Sequence, residues 1–284
     1  TAPVEEETDR LIDAIAPAGA AELRRELAGP LATAAVTHAL GIADASAAEV
    51  LGWYDAIVAS VTEITSGRPP TEAGRRGFEA LRDAVEPALE RARNTSLVAA
   101  AAGDAGGLGR GEVVSNAAVL LFGGIETTEG MIANAIAHLL SHPDQLAEVR
   151  AEPGLLANAI EESLRLEPAA AVIDRYATRD VELARAPIGE RELVVISIAG
   201  ANRDPSVFPD PDRFDVRRPN AKLHAAFAHG PHVCIGMHLA RLEAQTAVAR
   251  VLERLPGLRL DPEHPPVARG LVFRKPGELR VRWG

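Results

Sequence analysis

The sequence predicts a mainly α protein with small β-sheets, an α+β chain forming one domain over residues 1–284. Three observations carry this. Apolar residues recur at three- and four-residue spacings through most of the first 167 positions. Past position 170 the pattern changes, in short runs, to two-residue alternation rich in β-branched side chains. No stretch has the composition of an interdomain linker, and no repeat is visible.

Helices are predicted over 5–16, 20–40, 47–66 and 71–93, with Gly67, Pro69 and Pro70 breaking the third from the fourth. Positions 94–110 are rich in Ala and Gly and contain a loop. A long helix is predicted over 111–141 and stopped by Pro143, followed by helices over 143–151 and 154–167, the last ending at Pro168. Strands are predicted over 175–183 and 192–198. The stretch 202–220 is dense in Pro, Asp and Arg and reads as an irregular meander. A Gly-containing loop over 227–236 opens into an amphipathic helix over 235–255, and the tail 271–283 reads as a hairpin around Pro276 and Gly277.

The chain is long enough to bury a large core, and its 47% hydrophobic and 25% charged residues are those of an ordinary globular protein. A formal charge of −10 argues against nucleic acid as a partner. The longest apolar stretch, near 113–125, is broken by Ser115, Asn116 and two glycines, so no membrane span is expected. The start of the chain has neither a basic segment nor an apolar run, and a single cysteine excludes internal disulfides; a cytoplasmic protein is expected. Arginine outnumbers lysine 28 to 2 and alanine is abundant, the codon bias of a GC-rich bacterial genome.

That cysteine lies in Phe227-Ala-His-Gly-Pro-His-Val-Cys-Ile-Gly236. A thiolate is a soft metal ligand, and a helix N-terminus, such as the one predicted just beyond Cys234, favours its charged form. Gly230 and Gly236 let the backbone turn sharply and approach a flat ligand, and His232 can offer a hydrogen bond to a carboxylate on that ligand's rim. Two other readings stand beside this one: a buried cysteine acting as a small hydrophobe, and a zinc site built from His229, His232, Cys234 and His238.

The loop resembles the haem-binding pattern Phe-x-x-Gly-x-His-x-Cys-x-Gly of bacterial cytochromes P450. Five fixed positions recur by chance about once in a few million windows at roughly one in twenty per residue type. Ala228 departs from the pattern, where the family commonly has Gly; the added methyl is expected to be tolerated. The resemblance runs from about Leu23 to the end, and implies a cytochrome P450 fold, N-terminally shortened, because the strands, loop and basic helix that open the family's fold are not found.

Glu162-Ser-Leu-Arg165 places an acid and a base on one helix face, which alone would be a solvated pair. In this order along the chain it resembles the family's Glu-x-x-Arg, implying a buried network with a meander arginine: Arg217, with Arg213 as the alternative. Gly123-Gly-Ile-Glu-Thr-Thr128 is locally unfavourable in mid-helix. A close helix crossing with a back-bonded threonine would explain it. The resemblance instead implies that Gly123 and Gly124 admit the haem face and that Glu126 and Thr127 relay protons. It also implies a haem-propionate partner in Arg175, for which a solvated strand arginine is the plain alternative, and places Phe227, His232 and Gly236 at the cofactor.

The implied cofactor is haem b, iron protoporphyrin IX, with Cys234 as axial ligand. The implied activity is that of a cytochrome P450 monooxygenase oxidising, by hydroxylation, a small apolar molecule. No nucleotide-binding Gly-x-Gly-x-x-Gly follows a strand, so electrons are expected from a separate ferredoxin-type or flavoprotein donor. A non-catalytic haem-binding or scaffold protein is the alternative.

Overall fold

The computed structural model describes residues 2–42, 44–90, 96–103 and 108–284. The first helix, α1 (Ala2–Ile15), gives way to a tight turn at Pro17. The helix expected over 20–40 is split. Ala20–Glu22 is strand β1, a π-helical turn follows over Arg24–Ala28, and α2 spans Gly29–Leu40 with Pro30 in its first turn. The cause is long-range: β1 pairs with the strand at Arg280–Arg282, Ala20 lying opposite Arg282, a partner that local periodicity cannot register.

Polar caps set the next starts. Before α3 (Ala47–Thr65), Ser46 Oγ accepts the Glu49 N–H at 3.3 Å while the Glu49 carboxylate accepts the Ser46 N–H at 2.9 Å. Before α4 (Glu72–Leu89), Thr71 Oγ1 accepts the Gly74 N–H at 2.9 Å. In the stretch read as containing a loop, the described part includes α5 (Leu97–Gly103). The long helix α6 runs unbroken over Arg110–Ser141.

The chain divides into two compact units, one of Thr1–Ala14 and Arg25–Glu129, the other of Ile15–Arg24 and Gly130–Gly284, so the division falls within α6. In the first unit Val36 and Leu40 of α2, Val50 and Tyr54 of α3, Leu81 and Val85 of α4, and Leu121 and Ile125 of α6 form a common core.

In the second unit, α7 (Pro143–Ala151) and α8 (Leu156–Leu166) precede the sheets. Strands β2 (Val172–Tyr176) and β5 (Leu193–Ser197) pair antiparallel, and β3 (Val181–Leu183) pairs with β4 (Ala186–Ile188). The strand expected over 175–183 is thus two strands with different partners. A short helix, α9 (Ile198–Ala201), leads into the meander, and α10 (Met237–Arg254) follows the cysteine loop. The tail does not close on itself as the predicted hairpin. Strand β8 (Lys275–Pro276) pairs with β7 (Ala268–Arg269), and β9 (Arg280–Arg282) lies between β1 and β6 (Arg259–Leu260). Among the described residues, no helix is long and apolar enough to cross a membrane.

Candidate functional site

Two turns build the cysteine loop. The Ala228 N–H reaches the Ala225 carbonyl at 2.8 Å, the Val233 N–H reaches Gly230 at 3.0 Å, and the Cys234 N–H closes the loop on the Phe227 carbonyl at 2.9 Å. Gly230 has φ 76°, a left-handed conformation that glycine adopts without strain. Ala228 has φ 56° in the same region, so its methyl is accommodated with backbone strain. Three residues after Cys234, α10 begins, close to the start the sequence predicts.

Cys234 is exposed, and the large apolar side chain of Ile235 beside it is 76% exposed. A methyl at position 236 would sit 3.9 Å from the Cys234 sulfur, so Gly236 keeps the space beside the thiol clear. An accessible soft donor, bordered by uncovered apolar surface and with no side chain at its flank, fits a flat apolar macrocycle with a metal at its centre. It does not fit a buried cysteine acting as a hydrophobe. The zinc reading fails on geometry: among the described residues the acid–imidazole group with ligand atoms within 4.8 Å is Asp261, Glu263 and His264, and the loop's own His229, His232, Cys234 and His238 form none.

Behind the loop stand two neighbouring carboxylates of α8. Successive helix residues point about 100° apart, so Glu161 and Glu162 reach different elements. Glu162 and Arg165 are fully buried and paired at 2.7 and 2.9 Å. Arg165 donates onward to the carbonyls of Asn202, Pro211 and Arg213, which fastens the meander. The third member of this network is Arg218, whose Nε lies 2.9 Å from Glu162 Oε1 and whose remaining donors reach the carbonyls of Pro209, Asp210 and Arg213. This corrects the assignment of Arg217, and Arg213 contributes only its carbonyl. A turn, with the Arg218 N–H on the Asp215 carbonyl, points residue 218 inward, while Arg217 lies at the surface and pairs with Glu148 and Glu152.

Glu161 was not singled out by the sequence. It accepts Arg241 of α10 at 2.6 and 2.9 Å and His224 at 3.1 Å. Burial pushes its carboxyl up, but these partners outweigh that and hold it at about 2. The Arg241 guanidinium lies 4.5 Å from the centre of the Phe227 ring, and its positive charge is close enough to Cys234 to interact with it. His224 also contacts Phe227, their ring centroids 5.8 Å apart. Asn202 completes the support, its side-chain oxygen taking the Ala225 N–H at 2.7 Å. The only local hint of Glu161 was an acid directly before the expected one.

His232 and Arg175 are both exposed. Arg175 stands on β2 opposite Val194, its guanidinium on the neighbouring Asp174 carbonyl at 2.7 Å.

On α6 the two glycines part company. A Cβ at Gly123 would meet nothing within 4 Å, which leaves that face open to a ligand. A Cβ at Gly124 would lie 2.8 Å from Val36 Cγ2, so Gly124 is small because α2 packs against it, and its reading as a cofactor-contacting residue is corrected to helix packing. Ile125 is buried in the core of the first unit. Thr127 donates its hydroxyl to the Gly123 carbonyl one turn back, keeping its oxygen as an acceptor. Glu126 accepts a hydrogen bond at 2.9 Å from Tyr54 of α3.

A family model described as Cytochrome P450 matches residues 90–276. The chain is 37% identical over 302 residues to the cytochrome P450 monooxygenase PikC of Streptomyces venezuelae, covering 99% of this chain and 68% of that protein. It is also 37% identical over 265 residues to cytochrome P450 107B1 of Saccharopolyspora erythraea, covering 90% of this chain and 63% of that one. The chain spans about two thirds of the length of these curated relatives. Among solved structures it resembles P450BioI in complex with an acyl carrier protein bearing hexadec-9Z-enoic acid, with TM-score 0.87 at 30% identity over 99% of this chain and 73% of that one. It also resembles the LnmA cytochrome P450 hydroxylase of Streptomyces atroolivaceus, with TM-score 0.86 at 33% identity, covering 99% and 73%.

Proposed function

This chain belongs to the cytochrome P450 family, and from that premise we propose that it is a haem-thiolate monooxygenase that hydroxylates a small apolar molecule with dioxygen and electrons from a separate redox protein. The observation that carries this is the exposed Cys234 thiol in its braced loop, beside uncovered apolar surface and with the flanking position kept clear by glycine. Residues 1–284 are read as one cytochrome P450 domain, working in the cytoplasm with a ferredoxin-type or flavoprotein donor. The cofactor in this reading is haem b.

When bound, the haem supplies dioxygen activation at an iron made electron-rich by a thiolate. The protein's part is to hold and to transfer. Cys234 would hold the haem iron through its sulfur, and Phe227 and Gly236 would shape the surface beside it. His232 and Arg175 would pair with the haem carboxylates. Gly123 leaves the α6 backbone approachable. Glu126 would take up a proton and pass it on toward that face, with Thr127 accepting a hydrogen bond through its oxygen beside it. Glu162, Arg165 and Arg218 lock the meander that leads into the cysteine loop, and Glu161 joins α8 to Arg241 of α10, whose guanidinium lies over the Phe227 ring.

The test is the visible spectrum of the reduced protein under carbon monoxide, with turnover measured using a surrogate electron donor. A strongly red-shifted Soret band, lost in Cys234→Ala, is expected, together with oxygenated product. A haem spectrum without turnover on any apolar substrate would leave a haem-binding module instead, and a colourless protein after haem reconstitution would overturn the assignment.

A further inference from the structure

The acid of the mid-helix motif does not stand alone on α6. Tyr54 projects from α3 with its hydroxyl 2.9 Å from Glu126 Oε2. Its ring stacks on Phe122, one turn earlier on the same helix, at 5.9 Å between centroids. Tyr54 is buried in the core of the first unit among Val50, Leu81 and Leu121, which fixes the direction of the phenol. The neighbouring Thr127 hydroxyl is committed to its own helix. A hydrogen bond to the Glu126 carboxylate thus comes from another helix.

We propose that Tyr54 is a positioning residue for Glu126, its hydroxyl holding the carboxylate in place on α6 and so determining how well that acid delivers protons. Burial first, then the charge and hydrogen bond of Glu126, then the charges of Glu129 on α6 and Asp55 on α3, push the Tyr54 phenol above its ordinary range. The hydroxyl thus stays a donor throughout the pH range of a working enzyme. Because α3 carries the donor and α6 the acceptor, any shift of α3 along α6 loosens or tightens the acid. This links the packing of α3 to proton transfer with no change in the reacting groups.

The kinetic consequence rests on the monooxygenase reading; the pairing itself does not. Two measurements separate them. The protein has two tyrosines, Tyr54 and the exposed Tyr176. On a Tyr176→Phe background the ultraviolet resonance Raman doublet reports the hydrogen-bond state of Tyr54 alone. A strong-donor signature is expected, and it should disappear in Glu126→Ala. A signature unaffected by that substitution would overturn the pairing, whether or not the protein turns over. In the haem-loaded enzyme, Tyr54→Phe keeps the ring and its packing and removes only the hydroxyl. It should lower kcat several-fold, leave KM nearly unchanged, raise the hydrogen peroxide released per product, and enlarge the solvent deuterium isotope effect. An enzyme with unaltered peroxide yield and isotope effect would overturn the positioning role. Absence of turnover in the unaltered protein would count against the monooxygenase reading, while the Raman result still decides the pairing.

Discussion

Ala228, with φ 56°, occupies the conformation that costs an L-residue about 1–2 kcal/mol. The sequence showed the departure from glycine at this position but not its cost, because a methyl's volume can be judged from composition and its backbone angle cannot. Ala228→Gly is expected to raise stability by about 1 kcal/mol in denaturant unfolding, the strain relieved being partly offset by the greater freedom of glycine in the unfolded chain. The arginine pair gives the opposite lesson. Arg217 and Arg218 are equivalent in sequence, yet one meets solvent-facing acids and the other a buried carboxylate. Arg218→Ala should cost about 3–5 kcal/mol, as expected when a buried ion loses a partner. Arg217→Ala should leave the melting temperature nearly unchanged, since exposed pairs contribute little. Equal effects of the two would contradict the assignment.

Within α6, adjacent glycines do different work. Gly124→Ala forces a methyl to 2.8 Å from Val36 and should destabilise by about 1–3 kcal/mol. Gly123→Ala meets nothing within 4 Å and should stabilise the helix by up to about 1 kcal/mol, while weakening turnover if that open face serves the haem. Thermal denaturation of both variants alongside the carbon monoxide spectrum decides the matter. The unusual composition of 123–128 was legible; which glycine faced which neighbour was not, because that depends on where α2 lies. Strand β1 shows the same limit, since three residues adopt strand structure only through pairing with β9.

For the unit that contains the cysteine loop, the response to acid follows from two buried groups. Burial, with the nearby charges of His142, Arg203 and Arg165, lowers His138 from 6.5 to about 4, so it folds neutral. Its depressed value means stability is complete above 6.5 and falls as pH drops toward 4, by up to about 3 kcal/mol. Glu161, held at about 2 against 4.5, adds a second loss as pH falls from 4.5 to 2. Denaturant midpoints measured from pH 7 to pH 3 should therefore begin to decline near 6.5, and His138→Gln should remove the upper part of that decline. A midpoint flat down to pH 4.5 would refute the His138 contribution.

From the amino-acid order alone came the family, the helical framework, the cysteine loop, the Glu162–Arg165 pair and the acid–alcohol motif, because each is a short pattern whose chemistry is contained in neighbouring residues. Tertiary structure alone decided that Arg218 rather than Arg217 joins the buried pair, that Glu161 meets both Arg241 and His224, that Gly124 belongs to a helix crossing, and that the Tyr54 hydroxyl reaches Glu126. Those relations join segments remote in sequence. Their free energy comes from burial and from partners that only the folded chain supplies.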